Sequence, residues 1–142
     1  QYFPEGFFCT GFYVIVDEAD GALVYGGVGH PPALVVGPNG TRQLDPDSGL
    51  LGIGLASDTE TRSDRLAPGE SMLIYTDGLP DAMDPSDKMF GQDRIMAVLE
   101  ANKDAEPAVI LDALEKAVAD HVRPGSPHDD INLVLIQNPA SA

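Results

Sequence analysis

The sequence predicts an α+β domain in which late helices pack on a mostly antiparallel sheet. Three observations carry this. Short apolar segments separated by Gly, Pro, Asn and Asp turns fill the first half of the chain. After residue 90 the apolar spacing changes from alternation to steps of three and four. The 142 residues, 43% hydrophobic and 22% charged, are ordinary globular usage and suffice for one compact domain.

Residues 7–16 are rich in aromatic and β-branched side chains and predict the first strand. Asp17-Glu18-Ala19-Asp20-Gly21 is a turn signal, and residues 22–28 predict the return strand. Residues 33–36 and 41–44 flank Gly37-Pro38-Asn39-Gly40, in which Asn-Gly supplies the positive φ angles of a tight hairpin. Residues 45–56, with Pro46, Gly49, Gly52 and Gly54, read as a shaped loop. Residues 59–66 alternate weakly and predict an edge strand. Pro68-Gly69-Glu70 turns the chain into residues 71–76, the best candidate for a buried strand.

Ile95, Val98 and Leu99 then line one face of a helix over 94–101. Glu106-Pro107 opens a second helix, where the missing proline N–H costs nothing. Ile110, Leu114, Ala117, Val118 and His121 form its stripe, and Arg123-Pro124-Gly125 stops it. Residues 131–136 predict a last strand.

Charge and cysteine usage exclude several functions. Lys and Arg total 8 against 23 Asp and Glu, a net charge of −15. Such a chain repels nucleic-acid backbones and anionic membrane surfaces, and it repels a phosphorylated substrate unless cations screen the acids. Cys9 is the only cysteine, which rules out an intramolecular disulfide and a cysteine-based zinc site and suits a reducing cytoplasm. No apolar run reaches the roughly 20 residues of a spanning helix. The opening Gln1-Tyr2-Phe3-Pro4-Glu5 has neither signal-peptide character nor an initiator Met, so the chain is expected to be a piece of a longer protein.

Two acidic spots adjoin strong strands: Asp77-Gly78 after residues 71–76, and Asp129-Asp130 before residues 131–136. If those strands are antiparallel neighbours, Asp77 and Asp129 converge on one rim, and paired carboxylates suit Mg²⁺ or Mn²⁺. Each spot alone also reads as an ordinary turn or solvated loop.

Six motifs then follow in order: Gly29-His30-Pro31-Pro32, Leu51-Gly52-Ile53-Gly54, Leu66-Ala67-Pro68-Gly69-Glu70, Tyr75-Thr76-Asp77-Gly78-Leu79, Phe90-Gly91 and Asp129-Asp130-Ile131. Together they resemble the bacterial serine phosphatases of the SpoIIE/RsbU type, within the metal-dependent, protein phosphatase 2C-like family. The resemblance implies a mostly antiparallel β-sandwich flanked by helices, with a two-metal Mn²⁺ or Mg²⁺ site at one end. It implies hydrolysis of phosphoserine or phosphothreonine by metal-activated water, on a partner such as a phosphorylated anti-sigma-factor antagonist. By motif, Asp77 and Asp129 would be catalytic metal ligands, and Asp130 would hold the loop or share the metal.

The family's early Gly-Asp and Asp-x-x-Gly-x-Gly segments do not occur here, and Asn132 stands where Thr is usual. The expectation is therefore the C-terminal part of a phosphatase domain, spanning 1–142. Alone it would be inactive or nearly so, and open strand edges would invite homodimers or strand exchange. The alternatives are a non-catalytic, phosphatase-like interaction module and, more weakly, a calcium-binding β domain.

Other residues have blander readings. Asp17 ends a hairpin strand, and His30 is expected to hydrogen-bond turn backbone. His121 packs on its helix stripe, whereas His128 adjoins the candidate site. Cys9 reads as a small core hydrophobe. Arg42, Arg62 and Arg65 pair with surface acids, and Asp81, Asp84 and Asp87 form a solvated loop.

Overall fold

The computed structural model describes residues 9–46, 60–125 and 129–140. Its strands are β1 (Gly11–Val16), β2 (Ala22–Val28), β3 (Ala33–Gly37), β4 (Gly40–Leu44), β5 (Arg62–Arg65), β6 (Ser71–Tyr75) and β7 (Leu133–Gln137). Helices α1 (Gln92–Ala101) and α2 (Pro107–Val122) lie between β6 and β7. The strands form two sheets, ordered β1-β2-β5 and β4-β3-β6-β7, and every pairing is antiparallel. The α+β sandwich expected from the sequence is thus present.

Alternation along the central strands explains the layering. From β3 and β6, Leu34, Val36, Leu73 and Tyr75 face the helices and pack with Phe90, Ile95, Leu99, Ile110, Leu114 and Val118. The intervening Ala33, Val35 and Met72 face the other sheet, against Leu23, Tyr25, Phe12 and Val14. Both faces of β3 and β6 are therefore buried, which is why residues 71–75 read as a continuous apolar run. The β1-β2-β5 sheet buries one face only. Tyr13, Ile15 and Val24 stand exposed on its other face, Ile15 at 68%.

Several details differ from expectation. The edge strand shrinks to Arg62–Arg65. The last strand begins at Leu133 because the Asn132 N–H bonds the Thr76 hydroxyl rather than a ladder carbonyl. At the β3–β4 hairpin only Gly40 takes a positive φ (+99°), so the Asn-Gly signal acts through its glycine alone. Asp17 closes the β1–β2 hairpin, donating its N–H to the Ala22 carbonyl and accepting from Gly21. The expected loop over 45–56 falls, past residue 46, outside the described residues, as does Leu51-Gly52-Ile53-Gly54. No described helix is long and apolar enough to cross a membrane.

Candidate functional site

β6 and β7 are antiparallel neighbours, with Tyr75 opposite Leu133. Continuing that register sets Gly78 opposite Asp130, so the Asp77 and Asp129-Asp130 segments meet at one rim. The join is tight. The Thr76 hydroxyl donates to the Asp130 carbonyl (3.0 Å) and accepts from the Asn132 N–H (3.0 Å). The Thr76 N–H donates to the Asn132 carbonyl (3.1 Å). A Cβ on Gly78 would stand 2.5 Å from the Asp130 carbonyl oxygen, so only glycine permits this approach.

Gly78→Ala is accordingly expected to cost about 1–3 kcal/mol, because the obstructing atoms are backbone and the strand ends must part. Thermal unfolding checks this beside Gly11→Ala, whose added methyl meets nothing within 4 Å and is expected to be near neutral.

The three sequence-predicted acids divide their labour. Asp77, Asp129 and Asp130 are all exposed at the rim. The Asp129 carboxylate accepts from the Asp130 N–H (2.7 Å), and the Asp130 carbonyl, rather than its side chain, receives the Thr76 hydroxyl. Asp77 starts a tight turn, its carbonyl accepting from the Asp81 N–H (3.0 Å). Asp77 and Asp129 are hard oxygen donors of the type divalent cations take, carried on segments just beyond the ends of β6 and β7. Among the described residues, no group of three or more His, Cys, Asp or Glu side chains is clustered closely enough to hold a metal.

His30 is the histidine nearest this rim among the described residues. His30 lies in the turn that leads into β3, close enough to Asp77 to feel its charge. The ring lies against Phe12 (centroids 6.0 Å, tilted 42°). Both ring nitrogens are shielded from solvent and make no well-formed hydrogen bond, the Tyr75 backbone being the nearest such partner. Burial pushes the imidazole below its usual value; the nearby Asp77 charge and Tyr75 backbone oppose this without reversing it.

A hairpin follows Asp77. Met83 bridges Met89, and the Asp84 carboxylate accepts from the Ser86 and Lys88 N–H groups. His121 of α2 reaches this hairpin, with Nε2 2.9 Å from the Lys88 carbonyl and its ring edge-on to Phe90. It is thus a tether as well as a packing residue. Phe90 is buried and Gly91 turns the chain into α1 at φ +77°. Cys9 is an exposed free thiol, not the core hydrophobe expected, because it precedes β1 at the sheet's margin. Arg65 pairs with Asp20 on the surface, and Arg62 donates to the Asp45 carbonyl. Arg42 is exceptional: it forks onto Glu70, which is 1% exposed. His128 lies outside the described residues.

The family model for Stage II sporulation protein E (SpoIIE) matches residues 1–139. The chain belongs to the SpoIIE family. It is 31% identical over 130 residues to protein IcfG of Synechocystis, covering 91% of this chain and 20% of that protein. Among solved structures, the RsbU and RsbW domains of Rv1364c from Mycobacterium tuberculosis superpose with a TM-score of 0.73 at 28% identity, over 94% of this chain and 37% of that one. The manganese-presoaked SpoIIE phosphatase domain of Bacillus subtilis gives 0.73 at 20% identity, over 94% of this chain and 58% of that one. The SpoIIE-family chain therefore shares the phosphatase-domain fold while spanning little more than half of that solved domain.

Proposed function

We propose that this chain is the C-terminal part of a metal-dependent phosphoprotein phosphatase domain and supplies one half of its active site. The observation that carries the reading is the register-locked meeting of Asp77 and Asp129 on adjacent strand ends, within a family match that runs through both. Asp77 and Asp129 would hold Mn²⁺ or Mg²⁺, with Asp130 fixing the loop through its carbonyl. A bound divalent cation supplies a nucleophilic water at neutral pH and offsets phosphate charge. The chain's own part is to carry two carboxylates on neighbouring segments of one solvent-open rim accessible to a phosphorylated side chain. At a net charge of −15, that rim repels a phosphate until cations neutralise it.

The substrate reading is a phosphoserine or phosphothreonine on a regulatory protein of the anti-sigma-factor antagonist type. The motif resemblance and the similarity to a chain carrying RsbU and RsbW domains support it. Two carboxylates are fewer ligands than a two-metal site needs, so the isolated chain is expected to be inactive or nearly so. The uncovered face bearing Tyr13, Ile15 and Val24 supports self-association of the isolated chain.

A second reading, a phosphatase-like interaction module, is favoured by the small number of candidate ligands at the rim. Mn²⁺-dependent hydrolysis of a phosphoserine peptide separates the two. This chain would be compared with a version extended N-terminally in the parent gene, each with an Asp129→Asn control. Turnover only in the extended form, abolished by Asp129→Asn, is expected. No turnover and no Mn²⁺ binding in either form would leave the interaction module.

A further inference from the structure

We propose that the flank of the sandwich formed by β1 and β7 pairs, edge to edge, with the same flank of a second copy of this chain. The pairing concerns the 142-residue chain itself and stands independently of the phosphatase reading.

The two flanks of the sandwich are built differently. At one, β4 and β5 end their sheets, and both are protected. β5 is only Arg62–Arg65, mostly charged, and Arg42 of β4 ties across to Asp64 and the Arg65 carbonyl. Short length and charged side chains are how edge strands avoid pairing with other chains. At the other flank β1 and β7 end their sheets, and among the described residues each pairs with one strand only. Neither Gly11–Val16 nor Leu133–Gln137 contains a charged residue or a proline, in a chain of net charge −15.

Side chains that face inward are left half-buried there. Phe12, Val14 and Val16 of β1 and Ile136 of β7 line the inter-sheet core without being covered by it. Val134 stands opposite Ile74 and shares the face of Ile136, yet it is 54% exposed. A cleft lined by Val16, Leu66 and Ile136 opens beside them. Apolar surface and unpaired ladder groups thus coincide on one flank. The outer face bearing Tyr13, Ile15 and Val24 offers apolar area but no backbone groups to set a register.

A second copy satisfies this flank in a single contact. A two-fold axis normal to the layers sets β7 antiparallel to its own copy and β1 antiparallel to its own copy. Both unprotected edges are then used, and the edges left over are the charged β4 and β5, so assembly stops at a dimer. The contact itself is uncharged while the two copies repel, so screening by salt should strengthen it.

Sedimentation equilibrium over a range of concentrations, at about 0.05 and about 0.5 M salt, measures the dimer, and hydrogen exchange locates it. The expected result is a reversible dimer, tighter at the higher salt. Amides of β1 and β7 should gain protection as concentration rises, and those of β4 and β5 should not. Val134→Glu brings like charges together across the axis and should raise the dimer dissociation constant at least about tenfold. Val134→Thr keeps the branched shape and should dimerise like the parent, as should Val24→Glu on the outer face. Exchange on the parent chain needs no substitution, so it decides the matter should Val134→Glu not fold. A monomer at every concentration, growth into larger species, or a dimer that leaves β7 exchange unchanged and is broken by Val24→Glu overturns the proposal.

Discussion

Asp77→Asn in the extended chain is expected to lower kcat/KM for a phosphoserine peptide about a thousandfold while leaving the fold unchanged. A cation's hold on the reacting oxygens contributes several kcal/mol, and each 1.36 kcal/mol is about tenfold in rate, so roughly 4 kcal/mol corresponds to three decades. On the proposed reading, the substitution removes one formal charge and one metal ligand and preserves shape. Asp77 contributes to the fold through its backbone, whose carbonyl accepts from Asp81, and its side chain is exposed. Unfolding free energy should therefore stay within about 0.5 kcal/mol of the parent. Steady-state kinetics at saturating Mn²⁺, with a thermal melt of the same preparation, check both halves. Unchanged turnover would remove Asp77 from the site.

Arg42→Met is expected to produce the largest loss of stability, about 3–5 kcal/mol. Arg42 lies on β4 at the edge of one sheet, and it reaches Asp64 and the Arg65 carbonyl on β5 at the edge of the other. Its guanidinium also forks onto Glu70, at 2.7 and 3.0 Å, and Glu70 additionally accepts from the Ala67 N–H. The Glu70 side chain is 2% exposed and Arg42 33%. Removing the arginine strands a buried carboxylate, the costly way to break such a pair. Glu70→Gln leaves a cation that is partly solvated and still pairs with Asp64, so it should cost less.

The pH dependence follows from the same pair. Burial alone would raise the Glu70 pKa, and Asp64 adds to that. The Arg42 hydrogen bonds, the Ala67 N–H and the Arg42 charge outweigh them and leave it below its ordinary 4.5. A carboxyl depressed in the folded state contributes stability above the unfolded value and loses it as pH falls through the folded one. The stability gap between parent and Arg42→Met should accordingly be full at pH 7 and shrink below about pH 4.5. Melts across that range measure it; a gap that does not change with acid would count against the buried pair as its source.

Both effects sit on motifs that the sequence displays without explaining. Leu66-Ala67-Pro68-Gly69-Glu70 looks like a turn before a strand, and it is one. Its glutamate is also the buried end of an inter-sheet tie, packed with its Cγ 2.7 Å from where a Cβ on Gly37 would stand. Arg42 reads from the sequence as a surface cation because nothing nearby in the chain is its partner; Glu70 is 28 residues away.

What the sequence determined by itself was local. Alternation and turn chemistry specify the strands from β1 to β7 within a few residues, and the change to a helical period specifies α1 and α2, because these signals depend on neighbours a few positions apart. The candidate acids Asp77 and Asp129 were legible for the same reason: each adjoins a strand that announces itself. The tertiary structure alone decided which strand ends meet. Pairing of β6 with β7 brings Asp77 and Asp130 to one rim, and the sandwich brings Phe12 onto the His30 ring. Those contacts depend on register between segments tens of residues apart, and burial on both faces of β3 and β6 holds that register, since a slip of one residue would turn each buried face over.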